Sequence, residues 1–124
     1  MAINLTLFRN RSPVRDLERD RSRFSRIRLA LEAAKAEAEA EGAGLQKRID
    51  THLLQGVALI ESLQEYGKRS AEDEQGITEL ENRAKAGRQR VAELGRQIVV
   101  IDQMLADLGR LSSEVEDQYR SVER

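Results

Sequence analysis

The stretch ITELENRAKAGRQRVAELGRQIVVIDQMLADLGRLSSEVEDQYRSV, residues 77–122, decides the fold. Its apolar or small residues fall at Ile77, Leu80, Ala84, Gly87, Val91, Leu94, Ile98, Ile101, Leu105, Leu108, Ser112, Val115, Tyr119 and Val122. The steps alternate three and four without a break, for more than six heptads. Such a stripe runs along one side of an α-helix and needs a second helix to cover it, the pattern of a coiled coil.

A second stripe lies upstream, at Leu17, Phe24, Ile27, Leu31, Ala34, Ala38, Gly42, Leu45, Ile49, Leu53, Gly56, Ile60 and Leu63. Two consecutive four-residue steps occur in it twice, so its period locally exceeds that of a strict heptad, which predicts weaker supercoiling. Ser12-Pro13 marks its start: the serine supplies a capping oxygen, and proline suits the first helical position, where its missing N–H would have had no partner. Gly67 suits the left-handed residue that ends this helix. Ser70 caps the next one, with Glu72, Asp73 and Glu74 where the helix dipole favours carboxylates. The expected helices are 13–66 and 71–122, each about 80 Å long at 1.5 Å per residue.

The short Gly67–Ser70 connection makes the two helices antiparallel neighbours. With the hairpin centred near Lys68, facing residues have numbers summing to about 136, a register set by the turn length. Small residues then sit opposite large ones: Gly42 faces Leu94, Ile49 faces Gly87, Ala38 faces Ile98, Ala34 faces Ile101, and Gly56 faces Leu80. That complementarity keeps each layer evenly filled. The fold class is therefore all-α, a long antiparallel two-helix coiled-coil hairpin formed as a single unit over residues 12–124. The alternative is a three-helix bundle with a break at Gly42-Ala43-Gly44, since each interior glycine costs about 1 kcal/mol relative to alanine. Architecturally the hairpin resembles, in a generic way, the stalk proteins of bacterial secretion and rotary ATPase machines, which are long antiparallel helix pairs.

Composition agrees with that architecture. Of 124 residues, 35% are charged and 3% aromatic, which suits helices that bury one stripe and leave the rest in water. No cysteine offers a thiolate nucleophile or metal ligand. His52 is the only histidine and lies beside the upstream stripe, where a structural or solvated role is expected. Gly42-Ala43-Gly44 follows no strand, so it is not a phosphate loop. No catalytic, cofactor-binding or metal site is expected, and no enzyme. No apolar run approaches the roughly 20 residues of a membrane span, and no secretory leader is visible. A cytoplasmic location is expected.

Two features point to partners. Residues 9–28 hold eight arginines against three acids, whereas residues 29–81 hold five basic residues against twelve acidic ones. Arg15, Arg19, Arg23 and Arg26 are the candidate contacts of this basic segment, with Leu5, Leu7 and Phe8 of the preceding tail. Residues 1–11 read as a flexible segment in which Ile3, Leu5 and Leu7 alternate with polar residues, a docking-peptide pattern. Arg21 and Arg28 border the seam and are expected to loosen that end of it. The second feature is apolar surface beyond the seam. Leu54, Val57, Leu59, Val99 and Met104 widen the apolar face and form a candidate oligomer face, consistent with a homodimer built as a four-helix bundle. The expected function is a non-enzymatic interaction protein: a scaffold, adaptor, stalk or chaperone for a protein assembly. The alternative is a nucleic-acid or anionic-membrane binder acting through the arginines, a reading weakened by the scarcity of stacking aromatics.

Overall fold

The computed structural model describes residues 12–66 and 70–123. They form two helices, α1 (Pro13–Tyr66) and α2 (Ala71–Glu123), and no strand. The fold is an all-α helical hairpin. Helix α1 begins where proline allows it, with the Ser12 carbonyl accepting the Asp16 N–H at 3.1 Å. Helix α2 begins with a reciprocal capping box: the Asp73 N–H donates to Ser70 Oγ at 3.1 Å, and the Ser70 N–H donates to Asp73 Oδ2 at 3.0 Å. Gly67, expected to terminate α1, lies outside the described residues, as does the 1–11 tail.

Helix α1 is continuous through Gly42, Ala43 and Gly44, so the three-helix alternative is wrong. The reason is packing. Gly42 is a seam position, and a Cβ placed on it would lie 4.0 Å from Leu94 Cδ1 on α2. Helical backbone is held there by the facing helix, and that outweighs the low propensity of two glycines.

The chain divides into two compact units. In the first, residues 12–35 pack with residues 100–123. Leu17 and Leu108 are buried, and Phe24, Leu31, Ile101, Leu105, Ser112, Val115 and Tyr119 are half-buried. Three residues expected in the seam are not there: Ile27, Ala34 and Val122 are exposed. Lys35 takes the position assigned to Ala34. Its side chain is two-thirds covered, and its Nζ reaches Asp102 Oδ1 at 2.8 Å. A lysine stem can line an apolar seam while its ammonium leaves it.

In the second unit, residues 36–99, the buried seam residues are Ala38, Ile49, Ile77, Ala84 and Leu94. The facing relations Gly42–Leu94 and Ile49–Gly87 are those expected from the register. Leu53, expected inside, is 42% exposed, and His52 is the half-buried residue instead. With Lys35 and His52 in place, the seam positions of α1 between residues 31 and 56 run Leu31, Lys35, Ala38, Gly42, Leu45, Ile49, His52 and Gly56, with Gly44 half-buried beside them. These seam positions alternate four and three, so the doubled four-residue steps expected at 34–38–42 and 45–49–53 are absent there, while beyond Gly56 both Leu59 and Ile60 are half-buried. Helical rotation fixes which residues face the partner, and it does so regardless of their polarity.

Candidate interaction surfaces

The basic surface grows out of helical spacing in the first unit. Arg15, Arg19, Arg23 and Arg26 stand at i, i+4, i+8 and i+11 of α1, which places them on one side of the helix. Together with Glu18 and Ser22 they line a shallow groove of about 430 Å³. Arg23 Nη2 donates to Asp20 Oδ1, and Arg26 Nε donates to the Ser22 carbonyl at 3.4 Å. These contacts with neighbouring turns hold both guanidiniums against the helix. Arg15 and Arg19 form no ion pair among the described residues.

Arg21 belongs to a different surface. Its Nε donates to Glu116 Oε1 and its Nη2 to Glu116 Oε2, the latter at 2.6 Å, a bidentate bridge from α1 to α2. The donated hydrogen bond holds the Glu116 carboxyl below its ordinary value, and the carboxylate raises Arg21. Arg21 was expected to loosen this end of the seam; it fastens it instead. Arg28 is exposed. Leu5, Leu7 and Phe8 lie outside the described residues.

The second unit has its own cross-helix clasp. Arg90 Nε and Nη2 donate to Glu41 at 3.1 and 3.3 Å, and Nη1 donates to Glu93 at 3.1 Å. The hydrogen bonds to Glu41 and then Glu93 raise the Arg90 guanidinium above its ordinary value. Both clasps are solvent-facing and join the helices at defined positions; register is their main contribution, because exposed pairs are weak.

Among the candidate oligomer residues, Leu54, Val57, Val99 and Met104 are exposed, with Leu54 at 70%. Leu59 is turned inward: it is half-buried, and its Cδ2 lies 3.8 Å from where a Cβ on Gly76 would sit. In the second unit Leu53 and Val57 also edge a groove of about 110 Å³ floored by Gly56, Ile60, Ile77 and Leu80. No group of three or more His, Asp or Glu side chains is placed to hold a metal ion among the described residues. No described helix is long and apolar enough to cross a membrane.

The chain matches no protein-family model, and no curated protein or solved structure is significantly similar to it.

Proposed function

We propose that this chain is a non-enzymatic interaction protein, a helical hairpin that serves a protein assembly as scaffold, adaptor, stalk or chaperone. Its contact is the stripe Arg15, Arg19, Arg23 and Arg26, docked on an acidic protein surface. The observation that carries this reading is the groove lined by these four arginines with Glu18 and Ser22 on one helix face, apart from the arginines used in cross-helix clasps. Guanidiniums in a row recognise carboxylates bidentately and steer an acidic partner over a distance.

The same stripe suits phosphate backbones or anionic lipid headgroups. Phe24 and Tyr119, the described aromatics of this unit, are both half-buried, which limits them as the stacking platform that single-strand binders use and supports the protein partner.

Affinity capture from the source cell tests the proposal, with the wild-type chain and the triple variant Arg19→Gln/Arg23→Gln/Arg26→Gln as baits. Proteins and nucleic acids are both read out, at low and high salt. The expected result is one stoichiometric protein on the wild type and its loss on the triple variant, with helicity unchanged by circular dichroism. Nucleic acid or lipid recovered only at low salt would replace the protein reading with the phosphate one. Equal recovery by both baits would remove the stripe from the account.

A further inference from the structure

A second basic site is built into the unit of residues 36–99, on side chains that the docking proposal does not use. Arg48 and His52 stand one turn apart on α1, and Arg83 and Arg90 two turns apart on α2. They border one groove of about 270 Å³. Ala86 keeps the α2 side of the groove low, and Gly87 lets Ile49 close its floor. Neither Ala86 nor Gly87 carries more than a methyl group, and Arg83 and Arg90 flank them along α2. No carboxylate lines it.

The three arginines differ in what they have left to give. Arg90 uses three of its N–H directions on Glu41 and Glu93, which fixes its guanidinium and leaves two N–H groups unused. Arg48 and Arg83 form no ion pair among the described residues, so they supply uncompensated positive charge at the groove. An independent observation concerns His52. Its Nδ1 is buried and has no hydrogen-bond partner. A buried polar atom without a partner is costly and uncommon. An oxyanion seated in the groove would lie beside His52, which lines it, and would offer acceptor oxygens to the arginines.

We propose that this groove binds a phosphate-class oxyanion, with Arg48 and Arg83 as the main ligands and Arg90 and His52 completing the site. Three arginines bordering one concave surface match the several oxygens of a phosphoryl group better than the two of a carboxylate. The source is either free inorganic phosphate or the phosphate of a nucleotide.

Because the chain has one histidine, the imidazole Cε1–H signal of His52 is an unambiguous reporter in a proton–carbon NMR spectrum. The intact chain is titrated with inorganic phosphate at fixed pH, with sodium chloride holding ionic strength constant. A saturable shift of that signal is expected, weakened at least tenfold by Arg48→Gln/Arg83→Gln. Both substitutions are at exposed positions, and circular dichroism checks that helicity is retained. A parallel titration with adenosine monophosphate separates the sources: equal affinity assigns free phosphate, and at least tenfold tighter binding assigns a nucleotide. A shift that fails to saturate, or is reproduced by chloride alone, or survives in the double variant, overturns the site.

Discussion

Among the described glycines, Gly87 makes the closest approach to a side chain of the facing helix, that of Ile49. A Cβ added to Gly87 would lie 2.7 Å from Ile49 Cγ1 and 3.1 Å from its Cδ1, and Ile49 is only 2% exposed. Ile49 therefore fills the volume that any larger residue at 87 would need. The glycine is retained for space, in the middle of a helix where its backbone entropy is a cost.

That relation separates the glycines by the sign of their alanine variants. Gly87→Ala gains helix propensity, about 1 kcal/mol, but overpacks the seam at about 1–3 kcal/mol, so a net loss of up to about 2 kcal/mol is expected. Gly44 and Gly95 have nothing within 4 Å of a new Cβ, so Gly44→Ala and Gly95→Ala should each stabilise by about 0.5–1 kcal/mol. Urea denaturation followed by circular dichroism checks the three variants. A stabilising Gly87→Ala would mean that the helices are not this close.

Glu116 makes the fold sensitive to acid. Its folded-state carboxyl is held below its ordinary value by Arg21, so its contribution is fully present above the unfolded value, about 4.3, and is lost as pH falls through the lower folded value. Asp73, lowered by the Ser70 N–H and hydroxyl, adds to the same trend. At neutral pH Glu116→Gln should be less stable than the wild type, and the difference should shrink steadily below about pH 4. A difference independent of pH across that window would mean that the bridge to Arg21 is not formed in solution.

Ser70 sets the start of α2. Ser70→Ala leaves the Asp73 N–H without its hydroxyl acceptor and should cost about 1 kcal/mol, whereas Ser70→Thr should keep most of the stability. Thermal unfolding of both variants checks this. Equal losses would show that the hydroxyl is not the cap.

The stripe of α2 was readable in the sequence down to single residues, because each seam position there is apolar or small and only Val122, near the helix end, is exposed. Helix α1 was harder, for a reason visible at two places. At Ala34-Lys35 and at His52-Leu53 an apolar residue sits one step round from a polar one, and the polar one faces α2. Pattern reading prefers the apolar residue; a strict heptad prefers the other. Lys35 resolves its conflict by pairing with Asp102 beyond the seam, a partner 67 positions away in sequence whose proximity depends on the register. The Arg21–Glu116 bridge was invisible for the same reason. The arginine stripe was legible because it needs only the helix period, while the groove around Arg48, Arg83 and His52 needs both helices in place.

Exposed Leu54 and Val57 carry the proposal of a second copy of this chain. Large apolar side chains on a helix surface are costly to leave in water and are economically covered by an identical helix. Light scattering should report a dimer at high concentration, and Leu54→Glu/Val57→Glu should shift it to monomer without loss of helicity. A wild-type chain that stays monomeric at every concentration would contradict the proposed dimer.

The groove around Arg48 and Arg83 and the two clasps depend on α1 pairing with α2 of the same chain. One nuclear Overhauser measurement addresses this directly: the contact between the Ile49 δ1 methyl and the Gly87 α protons, recorded first in a uniformly labelled sample. It is then recorded with isotope filtering in an equal mixture of labelled and unlabelled chains. The account expects a strong contact in the first spectrum and none in the second. Absence from the first, or persistence in the second, would mean that the helices pair in another register or between chains.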